Sequence, residues 1–151
     1  YGTYDDDPPS EIFNPEGGAV VYQPPVDNAT VTGLEQYKFL AGNEIELVGT
    51  TCGADSCAEL LLVVANLHKS VCLQINSLLG VANPSGDPPE DSDIDLSAPF
   101  EPGDSLTYSN TIGDEDTALS NKNEACFGKS AADPDDIVYY YYKVLLLVIH
   151  Y

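Results

Sequence analysis

The segment SCAELLLVVANLHKSVCLQINSLLG, residues 56–80, lies in the longest stretch of the chain without an internal glycine or proline. Ser56 and Glu59 have the spacing of a helix-capping box, and Gly80 is a typical C-terminal stop. Apolar residues recur here at steps of three and four, which places them on one face of a helix: Leu60, Val64, Leu67, Val71, Ile75 and Leu78. The pattern predicts a helix over residues 57–79.

Two other stretches predict strands. Residues 137–151 are rich in aromatic and β-branched side chains, which favour strands, and their near-continuous hydrophobicity predicts a central strand covered on both faces. Residues 36–40 and 44–48 alternate in polarity around Ala41-Gly42-Asn43, the pattern of a hairpin. The predicted fold class is α+β, with one long helix packed on an antiparallel sheet, rich in loops and containing disulfides.

Length and charge restrict the classes of function. A chain of 151 residues suits one domain. Residues 1–18 are dense in proline, glycine and aspartate and predict an irregular N-terminal segment, so residues 19–151 are expected to form a single globular domain. Acidic residues number 25 against 5 lysines, and the net charge is −20. That balance argues against binding to nucleic acid or to anionic membrane surfaces.

Four cysteines form an even set: Cys52, Cys57, Cys72 and Cys126. This number favours two disulfides and an oxidising compartment, whereas the spacing lacks the paired short intervals of structural zinc sites. Cys52 and Cys57 are close in sequence and are predicted to pair. Cys72, on the core side of the predicted helix, is predicted to pair with Cys126, just before the last strand.

An acidic loop supplies the candidate cofactor site. Asp91, Asp93 and Asp95 place carboxylates at alternating positions, as calcium-binding loops do. The loop departs from the EF-hand pattern, because Leu96 stands at the position of the turn glycine and Pro102 at that of the bidentate glutamate. Calcium is therefore the one predicted cofactor, and the competing interpretation is a solvated acidic loop.

Two further motifs bear on function. Asn28 begins an Asn-Ala-Thr sequon and is a candidate N-glycosylation site. His68 lies four residues before Cys72, so on a helix the two would share a face, and one interpretation is a base and a nucleophile. A core-facing Cys72 in a disulfide is the stronger interpretation. No catalytic residue is predicted, and we expect that the chain is not an enzyme.

Several short motifs are spread over most of the chain: Phe13–Gly18, Val48–Thr51, Leu67–Gly80, and Ala125–Phe127 with Tyr140–Leu145. Together they resemble the globular parts of bacterial prepilin-type proteins, the superfamily of type IV pilins and type II secretion pseudopilins. The resemblance implies an apolar N-terminal helix, cut by a prepilin peptidase, that polymerises in a fibre. Because the sequence starts with tyrosine and has no methionine, we expect that such a segment has been removed or lies outside it.

The same resemblance implies a function. The chain would be a structural subunit of an extracellular pilus-like fibre or of a secretion pseudopilus, found outside the cell or at its surface and facing the periplasm before assembly. Its partners would be identical or related pilin-like subunits, and it would meet the membrane only through the N-terminal helix. The alternative is a secreted calcium-binding adhesion or matrix module.

Overall fold

The computed structural model describes residues 29–31, 37–49, 58–94, 110–130 and 137–146. These residues form, in chain order, β1 (Tyr37–Ile45), β2 (Glu59–Leu67), α1 (Lys69–Leu79), a short 3-10 helix (Pro84–Gly86), β3 (Asn110–Ile112), β4 (Glu124–Ser130) and β5 (Ile137–Leu146). The strands make one curled sheet in the order β3-β1-β2-β5-β4. Strand β3 runs parallel to β1, and the other pairs are antiparallel.

This architecture corrects the predicted fold class. The fold is mostly sheet, and the sheet is mixed and curled like half of a barrel. The helix α1 has 11 residues. An α+β fold with one long helix on an antiparallel sheet is therefore wrong.

The predicted helix over residues 57–79 is wrong in its first half. Residues 59–67 are the middle strand β2, in which a continuous apolar run with adjacent valines suits a strand buried on both faces. Asn66 has a left-handed φ of 59°, in the interval where the pairing of β2 with β5 shifts register. Helix α1 begins only after His68. Glu59 is therefore a strand residue and not part of a capping box, and Ser56 lies outside the described residues.

The predicted hairpin is also wrong. Residues 37–45 form one continuous strand, and its pairing with β2 shifts register between Leu40 and Asn43. The residues between them, Ala41 and Gly42, are accommodated as an irregularity of the strand, and a glycine inside a strand often marks such a bulge. The chain turns only after Ile45, whose carbonyl accepts a 3.0 Å hydrogen bond from the Val48 N–H.

The strand predicted over residues 137–151 is confirmed for residues 137–146, the strand β5, which lies inside the sheet between β2 and β4. Residues 147–151 lie outside the described residues. Tyr142 is fully buried and Tyr140 nearly so, and their rings lie 6.0 and 5.8 Å from that of Phe127. These side chains belong to the main core: Leu40, Ile45, Val48, Leu61, Val63, Ala65, Val81, Ile94, Ile112, Leu119, Ala125, Phe127, Tyr140 and Tyr142.

Helix α1 packs against the opposite face of the sheet, over a smaller cluster of Val64, Leu67, Cys72 and Cys126. The fully buried residues of α1 are Cys72 and Asn76. The inward face is therefore offset from the predicted stripe, and Leu78, which the stripe placed inside, is 87% exposed. Among the described residues, no helix has the length and hydrophobicity needed to cross a bilayer.

Candidate functional site

A disulfide fastens α1 to the sheet. Cys72 of α1 and Cys126 of β4 are bonded, with a Cα–Cα distance of 5.3 Å and a sequence separation of 54. Both residues are fully buried. The predicted pairing of Cys72 with Cys126 is confirmed, which removes Cys72 as a nucleophile beside the exposed His68. Cys52 and Cys57 lie outside the described residues.

The same point of contact carries a second link that the sequence did not reveal. Asn76 lies one turn after Cys72, and its Nδ2 donates to the Cys126 carbonyl while its Oδ1 accepts the Cys126 N–H, both at 2.8 Å. Nδ2 also donates to Asn83 Oδ1 at 2.9 Å. The sequence contains one signal for this role of Asn76: it follows Cys72 by four residues, so on a helix it shares the face of a cysteine that is expected to face the core. Asn76 thus satisfies backbone groups on the outer edge of β4.

The outer edge of β4 is covered further along by the segment that precedes β3. The Gly128 N–H donates to the Pro89 carbonyl at 2.8 Å, and the Asp91 N–H donates to the Gly128 carbonyl at 2.9 Å. Exposed strand edges invite pairing with other chains. The hydrogen bonds of Asn76 and of residues 89–91 block that pairing along this part of β4.

Asp91, one of the three predicted calcium ligands, is buried and bonded to backbone. Its Oδ2 accepts the Gly113 N–H at 2.6 Å and its Oδ1 accepts the Asp93 N–H at 2.9 Å. Burial raises the pKa of the Asp91 carboxyl; these two hydrogen bonds oppose the rise, and the charges of Glu115 and Asp114 add to it. Asp91 therefore ties the loop after β3 to the segment beside β4.

The structure brings Asp91 and Asp93 together, whereas Asp95 lies outside the described residues. Within the residues described, no group of three or more side chains of metal-ligating type is found. Calcium binding stays a prediction. The sequon residue Asn28 likewise lies outside the described part of the chain.

A second polar site lies where β1 and β2 meet, and sequence reasoning missed it. Glu59 is fully buried and Glu44 is 3% exposed. Glu59 Oε2 accepts the Ile45 N–H at 2.9 Å, whereas Glu59 Oε1 and Glu44 Oε1 are buried without a hydrogen-bond partner. We call these two residues the carboxyl pair.

The register shift in β1 places the two acidic residues beside each other. After the register shift Asn43 pairs with Glu59, and Glu44 is the next residue along β1. Burial raises the pKa of Glu59 to about 7; the Ile45 N–H opposes the rise and the charge of Glu44 adds to it. Burial also raises the pKa of Glu44, with a further contribution from Glu46. Both shifts have the same main cause, the loss of water around a carboxylate.

No known protein family, curated protein or solved structure matches this chain. Of the motifs that resemble prepilin-type proteins, residues 67–80 cover the end of β2 and all of α1, and residues 125–127 and 140–145 lie in the adjacent strands β4 and β5. Residues 13–18 lie outside the described part. The resemblance therefore stays a prediction.

Proposed function

We propose that this chain is a structural, non-catalytic domain that works outside the cytoplasm, as a subunit of an extracellular or cell-surface assembly such as a pilus-like fibre. The observation that carries the proposal is the buried disulfide between Cys72 and Cys126. Disulfides persist in oxidising compartments and are rare where thiols are kept reduced. A bond between residues 54 positions apart suits a domain that has to keep its fold outside the cytoplasm.

The way α1 is attached supports a role in which shape matters. A covalent bond and two hydrogen bonds from the Asn76 side chain meet at one residue, Cys126. That residue lies in β4, which pairs along its length with the interior strand β5. The helix is thereby fixed to the sheet through covalent and polar contacts as well as apolar packing.

The net charge supports a subunit whose assembly is controlled. At −20, copies of the chain repel one another in dilute solution, and cations in the surroundings weaken that repulsion. Partners would be identical or related subunits, which must supply enough contact to overcome the repulsion. The proposal assigns no catalytic step to the chain.

Antibody labelling of intact source cells tests the location. Antibodies raised against the folded domain should label cells that have not been permeabilised, and immunogold microscopy should find the label on fibres or at the cell surface. Differential alkylation of the native protein should show Cys72 and Cys126 protected until a reductant is added. Labelling only after permeabilisation, or thiols that are free before reduction, would contradict the proposal.

The calcium-binding adhesion or matrix module remains the alternative, because Asp93 donates its backbone N–H to Asp91 and the two carboxylates lie in one short segment. Such a module predicts that millimolar calcium raises the melting temperature more than matched magnesium does, since binding to the folded state adds stability. The difference should disappear in Asp93→Asn. Equal responses to both ions would indicate charge screening and no site.

A further inference from the structure

The carboxyl pair, Glu44 and Glu59, is short of positive charge. The ion pairs of the described residues, Lys69 with Asp87 and Lys143 with Glu124, leave both glutamates without a cation. The charge of Glu46, just after β1, raises the pKa of Glu44 further. Two carboxylates cannot both be charged in such surroundings without a large cost in desolvation and repulsion.

Of the described residues on the other strands near the pair, Lys143 of β5 is the charged one; it stands opposite Leu62 of β2 and is paired with Glu124. On β3, Asn110 and Thr111 stand opposite Asn43 and Glu44, and neither titrates. On β5, the residue opposite Leu61 of β2 is Val144. Every described titratable group that acts on the pair is therefore an acid, and together they favour uptake of a positive charge.

A proton can neutralise the negative charge of the pair with fewer ligands than a metal ion requires. Calcium requires six to eight oxygen ligands, and a group of even three side chains of ligating type is not found in the part of the chain that the structure describes. A proton requires one carboxyl. Glu59 is the more deeply buried of the two, and its Oε1 has no hydrogen-bond partner, whereas its Oε2 is occupied by the Ile45 N–H.

We propose that Glu59 is the proton-binding group of a pH-sensitive junction between β1 and β2. The two strands pair stably when Glu59 is neutral, and the pairing is destabilised when Glu59 is charged. Deprotonation would place a second negative charge beside Glu44 at the bulge of β1, next to the strand positions that pair with β3. The expected response is a loosening of this edge of the sheet as the pH rises. The inference is independent of the location proposed above.

The direction of the response follows from linkage. The pKa of Glu59 is raised in the folded state to about 7, from 4.5 in the unfolded chain. The folded state therefore holds the proton more tightly, so the stabilisation is complete below the unfolded pKa and is lost as the pH rises through about 7. Most acidic groups that hydrogen-bond in a fold act in the opposite direction.

Carbon NMR of the intact protein tests the proposal directly. In the wild-type chain, one glutamate carboxyl carbon should titrate near pH 7 while exposed glutamates titrate at about pH 4–5. That resonance should disappear in Glu59→Gln. In Glu44→Gln it should remain and titrate at lower pH, because the neighbouring charge is gone. Aspartate carboxyl carbons resonate apart from those of glutamate, so Asp91 does not interfere.

Thermal melts give the matching functional readout. The wild-type melting temperature should fall between about pH 5 and pH 8, and Glu59→Gln should reduce that fall because its side chain stays neutral. Glu90→Gln is the matched control, since it makes the same chemical change at an exposed carboxylate, and it should keep the wild-type profile.

Three results would overturn the proposal. If all glutamates of the wild-type protein titrate below about pH 5.5, no proton is held at neutral pH. If the resonance near pH 7 persists in Glu59→Gln, another group binds the proton. If calcium removes the fall in melting temperature at high pH, and does so only while Glu59 is present, the pair is a metal site. The wild-type titration remains decisive if Glu59→Gln does not fold.

Discussion

The side chain of Asn76 pairs with the backbone of Cys126 as a neighbouring strand would. Its amide donates to the Cys126 carbonyl and accepts the Cys126 N–H, each at 2.8 Å. An edge strand leaves such groups open unless something covers them. Here one side chain of a helix takes the place of a strand residue, at the same position where the Cys72–Cys126 disulfide is attached.

Replacing Asn76 should destabilise the fold strongly. Asn76→Ala leaves the buried N–H and carbonyl of Cys126 without partners, so we expect a loss of about 2–4 kcal/mol in the free energy of unfolding. Urea denaturation of the oxidised protein measures it. Gln74→Ala, at an exposed position of the same helix, is the control and should change stability by less than about 0.5 kcal/mol. Equal losses for the two variants would contradict the assigned role of Asn76.

Removing the disulfide should cost more. The bond joins positions 54 apart, for which the chain-entropy model gives about 4 kcal/mol, and any strain in the native state reduces this figure. The double variant Cys72→Ala with Cys126→Ala should keep the native circular dichroism spectrum and unfold at a lower denaturant concentration. Wild-type protein, measured with and without reductant, provides the comparison. Unchanged stability in the double variant would show that the bond does not hold α1 in place.

A side chain at position 128 should destabilise the fold. A Cβ added there would lie 2.7 Å from Ile137 Cγ2 and 3.3 Å from Tyr139 Cε1 on the neighbouring strand β5. Gly128→Ala should therefore lower stability by about 1–3 kcal/mol through overpacking. Ile137→Ala removes the closer atom, so the double variant should lose less than the sum of the two single losses. Additive losses would mean that the clash does not occur.

Sequence predicts the fold best where the residue pattern allows a single interpretation. Residues 137–146 combine aromatic and β-branched side chains, and both features favour a strand. The Cys72–Cys126 pair was also predicted, because it depends only on α1 after residue 69 and on the position of β4. Neither prediction needed the correct start of the helix.

The first half of the predicted helix failed because its pattern fits two structures. Residues 60–65 are all apolar, and an unbroken apolar run reads equally well as a buried helix or a buried strand. Local signals for the strand were the adjacent Val63 and Val64, and Asn66, a residue type that tolerates the left-handed φ seen there. The spacing of Ser56 and Glu59 favours a helix that starts at residue 57, although Glu59 is a buried strand residue.

The carboxyl pair could not have been found from sequence. Alternation along residues 44–48 predicts only that Ile45 and Leu47 share one face of a strand, which separates them from Glu44 and Glu46. The structure buries both Glu44 and Ile45, because both faces of this part of β1 are covered, and leaves Leu47 61% exposed, because it lies in the turn after the strand. The register shift in β1 has no reliable mark in the sequence beyond Gly42.

In solution, the chain alone should be a monomer. The net charge of −20 makes copies repel, and the repulsion is strongest at low ionic strength. Sedimentation velocity at low salt should show one species of about the mass of a single chain, 16.2 kDa. Leu78→Ser removes the large apolar side chain that is most exposed among the described residues, and it tests any association that appears at high salt. Stable oligomers or filaments at low salt would contradict the prediction and the fibre model behind it.

The position of β5 determines when the sheet can be completed. It is the last of the described strands in chain order, yet it lies between β2 and β4 and provides the backbone partners of both. A chain that emerges from a ribosome or a membrane channel with its N-terminus first can pair β1 with β2, but it cannot join β4 to them until residues 137–146 have emerged. Pairings between distant segments also form slowly. The five-stranded sheet therefore stays incomplete until the chain is available as far as residue 146.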